Sequence, residues 1–424
     1  MSGDETGYCF DTVFAVPPTA TSVVVAPGAV RDLGALMSTR IAGRHAVIIS
    51  DEAVFGLHGP VLQTNLDTHG FKTDVIVIPP GEEAKTAVVL EMLWQRLSDL
   101  GTQRSSVIIS FGGGSTSDVA GLAAGTYMRG LDSVTVPTTF LAQVDAALGA
   151  KTAINFSNYK NLIGVYKAPL FVLADTELLS TLPKAAFMSG VAEVAKAALL
   201  KGGSFLEWLC AQAQELVARR SPEALREAVR RAVEFKLAVV ETDPLDEGHR
   251  FILNYGHSLG HALEAVLPSG SLSHGQAVVE GMRFAAQCAP EGLAALQDHL
   301  FSRLGLEPSL MMTADASRKT DTEPSRKTDA EPSHEADAEH KPDSEPAGGH
   351  DPAQATPQIR IDDAFIKALV AAMLHDKKNR GSEQSLVVLD APGSPRLLTL
   401  TVPELTRALS RFLQMSADTK ALQE

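Results

Sequence analysis

A chain of 424 residues that is 45% hydrophobic can bury a large core, and its length suggests two or three domains. A formal net charge of -14 argues against a nucleic-acid partner, because phosphate binding needs clustered Lys and Arg and no such cluster dominates. Cys9, Cys210 and Cys288 are too few and too scattered for a disulfide framework, no apolar run reaches membrane-spanning length, and the opening MSGDETGYCFDTVF lacks a basic leader, so the expectation is a cytoplasmic protein without a membrane partner.

In chain order, short β-branched runs come first: Ser22–Val25, Ala46–Ser50, Asp74–Pro79, Ser106–Ser110, Ser133–Val136 and Phe171–Ala174. Stretches with helical spacing, such as Ala84–Leu100, lie between them. Several runs are apolar on both faces, as strands covered by helices on both sides require, so residues 1–180 read as an α/β domain with a mostly parallel sheet. Ligands of such sheets bind at the C-terminal strand ends. There the sequence has SVIISFGGGSTSDVAG, a strand, a glycine loop and a helix start. Gly112, Gly113 and Gly114 have no side chains to hold a phosphate away, and the N–H groups of the following helix would point at an anion.

After Thr181 the β signal fades, and Lys184–Leu200, Ser204–Arg219 and Pro222–Val240 carry helical patterns. Next comes Phe251–Met282, which reads as helix, loop, helix and holds His257, His261 and His274. His257 and His261 are four apart, so both rings project from one helical face, and His274 opens the next helix and can turn back toward them. Three imidazoles so placed suit a catalytic divalent metal, although three ordinary surface or cap histidines would give the same spacing. The stretch 313–357 differs in kind. It repeats with a period of eight (SRKTDTEP, SRKTDAEP, SHEADAEH) and holds eleven acidic and five basic residues with almost nothing apolar, so it reads as a disordered insertion. Folded sequence resumes near Ile359 as a helix, a loop, a small hairpin and a terminal helix from about Pro403, which makes 181–312 and 358–424 one helical domain.

The segments FGGGSTSDVAG, TYMRG, VPTTFLAQVDAALGAKTAIN, YKNLIG, GVAEVAKAALL, RFILNYGHSLGHA, HGQAV and DKK stand in the order and at the spacings of 3-dehydroquinate synthases. The chain resembles that family, within the sugar phosphate cyclase superfamily, from about Ser22 to Leu413 except for the insertion. The resemblance implies a Rossmann-like NAD-binding domain and an all-α metal-binding domain, usually in a homodimer, acting on a small phosphorylated keto-sugar acid, 3-deoxy-D-arabino-heptulosonate 7-phosphate. It implies Zn²⁺ or Co²⁺ held by Glu193, His257 and His274, which replaces His261 in the metal set with Glu193 and leaves His261 beside the substrate phosphate for proton transfer. The implied substrate cage is Arg129, Asp145, Lys151, Lys160, Asn161, Lys196, Lys236, Arg250, Asn254, His261 and Lys377, rich in cations as a phosphorylated acid requires. For NAD it implies Asp51, Glu82, Lys85, Gly113, Gly114, Ser115, Asp118, Thr138, Thr139, Lys151, Lys160 and Thr181. It implies oxidation by NAD, phosphate elimination, reduction and intramolecular aldol closure.

The chain departs from the family at Ser115 and Ser117 in the glycine loop, at Gln276 where a glutamate is usual, and at Ala53 where an amide-bearing residue is usual. Such changes leave open a sister cyclase that takes an amino- or otherwise modified sugar phosphate. A metal-dependent alcohol or glycerol dehydrogenase would share the architecture without needing the cationic cage. A non-catalytic descendant would be expected to lose metal ligands, and all three are kept.

Overall fold

The computed structural model describes residues 20–157, 159–219, 221–268, 270–290, 292–310, 312–314, 359–375 and 383–421. The N-terminal part is a six-stranded sheet of β1 (Ser22–Ala26), β2 (His45–Asp51), β3 (Lys72–Ile78), β4 (Val107–Gly112), β5 (Asp132–Pro137) and β8 (Phe171–Asp175), in the order β1-β8-β5-β4-β2-β3 with every pairing parallel. Helices α1 (Leu33–Arg40) and α2 (Glu52–Thr68) cover one face, while α3 (Ala87–Asp99) and α4 (Gly114–Thr126) cover the other. Alternation along β2 explains the layering. Ala46 and Ile48 pack with Leu33, Met37, Leu62 and Leu66, while Val47 and Ile49 pack with Leu90, Leu93, Leu97 and Val119.

Successive connections run from β2 outward to β3, then back across β2 to β4 and on to β5. The chain therefore reverses direction between β2 and β4, where parallel sheets open a crevice beyond their C-terminal ends. Asp51 ends β2 and Gly112 ends β4, so the predicted glycine loop lies at this crevice. A second, two-stranded antiparallel sheet, β6 (Lys151–Phe156) with β7 (Tyr159–Tyr166), interrupts the pattern; β7 is exposed along its whole length.

From Lys184 the chain is predominantly helical: α5 (Lys184–Lys201), α6 (Gly203–Val217), α7 (Pro222–Thr242), α8 (His257–Val266), α9 (His274–Gln287) and α10 (Leu293–Arg303). Two three-residue strands, β9 (Met312–Ala314) and β10 (Ile359–Ile361), pair in parallel on either side of the acidic repeat, most of which lies outside the described residues. After them come α11 (Asp363–Leu374), the hairpin β11 (Glu383–Leu389) and β12 (Pro395–Thr401), and α12 (Val402–Ala421). The helical part shares a core with the sheet: Phe140 stacks on Phe187 of α5 with ring centroids 4.9 Å apart. None of the described helices is long and apolar enough to cross a membrane.

Candidate active site and metal centre

Three helices deliver the central cluster. Glu193, 2% exposed, projects from the middle of α5; His257 begins α8; His274 begins α9, whose Ser273–Gln276 capping box fixes the first turn. Nε2 of His257 and of His274 stand 3.7 and 3.6 Å from Glu193 Oε1, and one ligand atom from each of the three residues lies within 4.8 Å of the others. The second nitrogen of each ring is engaged. His257 Nδ1 is 3.2 Å from the Tyr255 carbonyl, and His274 Nδ1 is 3.3 Å from Glu264 Oε1. Each contact favours the proton on Nδ1 and leaves Nε2 for a ligand.

Both Glu193 oxygens are buried outside hydrogen-bond geometry, although Lys196 Nζ, one turn along α5, forms an ion pair with Oε2 at 2.5 Å. A buried carboxylate without hydrogen bonds is costly, and two imidazoles with one carboxylate form a donor set that Zn²⁺ accepts. These residues fit a divalent ion. His261 stands beside the trio and is exposed, its ring centroid 5.2 Å from that of His257 and 6.3 Å from that of His274. The i, i+4 spacing thus brings the two rings of α8 together, while the third member of the buried cluster comes from a carboxylate 64 positions earlier in the chain.

Charge balance around the cluster is set by burial and pairing. Burial opposes charge on Lys196, but Glu193 and Asp145 outweigh it and raise its pKa. Lys236 is lowered chiefly by burial even though its Nζ lies 2.6 Å from Asp145 Oδ1. Asp145, in a single π-helical turn at Ala142–Ala146, is kept below the usual carboxylate range by Lys236 and Lys196 against its own burial. Burial likewise disfavours charge on His257, and Lys196 adds to the effect. On His274 the neighbouring carboxylates of Glu193 and Glu264 overcome burial and raise the ring to about 9.

Glu264 is a member of the site that the sequence reading missed. It accepts from His274 on one side and pairs with Lys160 Nζ at 3.3 Å on the other, so it ties the β6–β7 hairpin to the histidine helices. His274 and Lys160 bring its pKa to about 2 despite burial that would raise it. The available signal was positional: Glu264 follows His261 by three residues on the same helical face.

Other expected substrate residues gather less tightly. Arg250 is buried, its guanidinium donating to the Gly149 and Pro244 carbonyls at 3.0 and 3.1 Å. Asn254 is half-buried at the end of the same 3₁₀ turn. Lys151 pairs with Asp246 at 2.6 Å, and Asn161 lies on exposed β7 with Lys85 as a neighbour. Arg129 stands apart: it is exposed, on left-handed backbone at φ 66°, and makes no hydrogen bond or ion pair among the described residues. Lys377 lies outside the described residues.

At the β2/β4 crevice, Gly113 is the N-cap of α4 and Gly114 its first residue, with no side-chain cap on the helix. A Cβ on Gly114 would come 2.9 Å from the Ala146 Cβ, and one on Gly113 would come 3.1 Å from Thr139 Cγ2. The free N–H groups of this first turn and the missing side chains form an anion cradle. Thr138 Oγ1 is buried without a hydrogen-bond partner among the described residues, whereas Thr139 Oγ1 accepts from the Ala142 N–H at 3.2 Å. Glu82 accepts from Ser115 Oγ at 3.1 Å and from the Asn155 amide at 2.7 Å. Lys85 Nζ donates to Asp118 at 2.6 Å; burial, only partly offset by Lys85, raises Asp118 to about 6. These residues fit a dinucleotide's pyrophosphate and ribose hydroxyls. Ser117 turns its hydroxyl onto the Gly113 carbonyl at 3.1 Å. Asp51 caps α2 by accepting from the Val54 N–H at 3.0 Å, and Thr181 Oγ1 lies 2.8 Å from His58 Nε2.

Family models described as 3-dehydroquinate synthase N-terminal and C-terminal match residues 75–189 and 190–306. A 3-dehydroquinate synthase of Pelotomaculum thermopropionicum is 42% identical over 63% of this chain and 72% of its own length. The one from Caulobacter vibrioides is 40% identical over 69% and 80%. Among solved structures, a 2-epi-5-epi-valiolone synthase from Streptomyces hygroscopicus subsp. jinggangensis, with NAD⁺ and Zn²⁺ bound, superposes with a TM-score of 0.73 at 24% identity over 95% of this chain and 99% of that one. A 2-deoxy-scyllo-inosose synthase complexed with carbaglucose-6-phosphate, NAD⁺ and Co²⁺ gives 0.71 at 24% over 91% and 95%. With its parallel sheet, its helical second half and these relatives, the chain belongs to the 3-dehydroquinate synthase family.

Proposed function

We propose that this protein is a 3-dehydroquinate synthase that converts 3-deoxy-D-arabino-heptulosonate 7-phosphate to 3-dehydroquinate and phosphate, using NAD and a divalent ion, Zn²⁺ or Co²⁺. The observation that carries this reading is the buried Glu193, whose unsatisfied carboxylate meets His257, His274 and Lys196 in one cluster. When bound, the metal supplies a Lewis acid for vicinal oxygens and NAD⁺ supplies a hydride acceptor that is regenerated in each turnover.

The chain's own groups bind and position the substrate and move its protons. Lys196, kept charged by Glu193 and Asp145, presents a cation to the substrate oxygens, and Lys236 is held by Asp145 where an anionic group can bind. Arg250, fixed by two carbonyls, and Asn254 serve the substrate from the turn before α8, with Lys151 contributed by β6 and Lys160 and Asn161 by exposed β7. His261, exposed beside His257, exchanges the proton on the phosphate side of the substrate. The first turn of α4 holds the pyrophosphate of NAD, and Asp51, Glu82 and Asp118 hold its hydroxyl groups. The active protein is a homodimer, supported by apolar Phe156, Tyr159, Ile163 and Tyr166, which the hairpin exposes by 43–50%.

The experiment is to incubate the protein with the heptulosonate phosphate, NAD⁺ and Zn²⁺ and to follow phosphate, dehydroquinate and NADH together. Phosphate and dehydroquinate should appear in equal amounts without net NADH. Net NADH without phosphate release would indicate a dehydrogenase. Turnover of only an amino-substituted or other sugar phosphate would make the chain a sister cyclase, a reading opposed by 42% identity to a 3-dehydroquinate synthase.

A further inference from the structure

Asn155 lies where the β6–β7 ladder breaks. Ile154 pairs with Ile163 and Phe156 with Tyr159, so this single residue of β6 stands opposite Lys160, Asn161 and Leu162 of β7. Two of those three are expected substrate residues. A bulge of this kind interrupts the ladder and re-aims side chains, and bulges gather beside active sites. The Asn161 backbone is left-handed, at φ 53°, a conformation that asparagine tolerates but that its surroundings must hold. The Asn155 side chain supplies that hold: its Oδ1 accepts from the Asn161 N–H at 2.9 Å, in place of the missing ladder bond.

The other end of the same amide faces the cofactor crevice. Asn155 Nδ2 donates to Glu82 Oε2 at 2.7 Å, and Glu82 Oε1 accepts from Ser115 in the first turn of α4. The Asn155 N–H donates to the Lys85 carbonyl at 2.9 Å, which fixes its backbone, and Lys85 Nζ donates to the Asn161 side chain. Glu82 needs a donor and the Asn161 N–H needs an acceptor; a primary amide meets both needs at once. We propose that Asn155 is a positioning residue for both ligands of the reaction, holding Glu82 for the hydroxyl groups of NAD and holding the bulge that aims Asn161 at the substrate. This rests on the function proposed above. Asn155 acts through Glu82 on one side and through Asn161 on the other, so its two roles are separable by chemistry.

The test compares Asn155→Asp with Asn155→Ala in the full-length, Zn²⁺-loaded protein. Aspartate is isosteric and keeps the acceptor for Asn161, but it loses the donor and sets a second carboxylate against Glu82. Calorimetric titration with NAD⁺ alone should show Kd raised roughly tenfold in both variants, the value of one hydrogen bond to a charged group. The KM for the heptulosonate phosphate at saturating NAD⁺ should stay near wild type in Asn155→Asp and rise roughly tenfold in Asn155→Ala. A purely structural role would move both quantities together in both variants, with a fall in melting temperature. Asn155→Asp keeps the test decisive if Asn155→Ala does not fold. Unchanged NAD⁺ affinity in Asn155→Asp, or a KM raised in it as far as in Asn155→Ala, would overturn the inference while wild type still binds NAD⁺ and turns over. Absence of NAD⁺ binding by wild type would instead overturn the proposed function, and this inference with it.

Discussion

At the scale of single residues, Asp243 shows how the site is held from outside. Its carboxylate accepts from the N–H groups of Glu247, Gly248 and Arg250 at 2.8–2.9 Å and so shapes the turn that carries Arg250. The Arg250 N–H, then those of Glu247 and Gly248, lower its pKa to about 2 from an ordinary 3.8. A depressed carboxylate stabilises the fold above the unfolded pKa, and that contribution is lost as pH falls through the folded one. Asp243→Asn should therefore lower the denaturant midpoint at pH 7, and the gap to wild type should close between pH 4 and pH 2; a gap independent of pH would contradict this. Glu264 gives a second prediction. Glu264→Gln loosens His274 and frees Lys160, so metal affinity measured by chelator competition should fall about 10- to 100-fold, as it does when carboxylates behind ligating histidines are removed. Unchanged affinity would mean that Glu264 does not orient the ring.

At the scale of elements, α8 and α9 must meet closely for His257 and His274 to face one carboxylate. Gly281 makes that possible: a Cβ there would fall 1.8 Å from the Gly256 carbonyl oxygen, immediately before His257. Gly281→Ala should destabilise the protein by about 1–3 kcal/mol or more through overpacking and reduce bound metal as well; a stable, fully metallated variant would show that the backbone yields there. Most elements were legible beforehand. The periodic stretches Lys184–Leu200 and Pro222–Val240 became α5 and α7 nearly to the residue, and the six β-branched runs became the parallel sheet, because burial on both faces leaves an apolar signature. The β6–β7 hairpin was not legible. Its second strand, YKNLIGVY, is exposed throughout and has Lys and Asn among its apolar residues, so neither period stood out. Nor could spacing find Glu193, whose partners lie 64 and 81 positions away and meet it only through helix packing; the family pattern supplied it.

At the scale of the whole molecule, the acidic repeat joins two strands that pair in parallel, so its replacement must return along the ladder. A three-residue strand spans roughly 10 Å, and a Gly/Ser linker of about ten residues reaches that distance easily. Replacing 315–358 with such a linker should leave the melting temperature and turnover close to wild type, since loop closure costs vary only logarithmically with length. Collapse of either would give the repeat a part in the fold or the site. Helices α5, α8 and α9 bring Glu193, His257 and His274 into one candidate metal centre, with His261 outside it. Metal content and turnover of His257→Ala and His261→Ala, with circular dichroism on both, test that claim most directly. His257→Ala should lose metal and activity together, whereas His261→Ala should keep its metal and lose roughly 10²- to 10⁴-fold in rate, the usual worth of a positioned proton-transfer group. Loss of metal from His261→Ala as complete as that from His257→Ala would contradict the account.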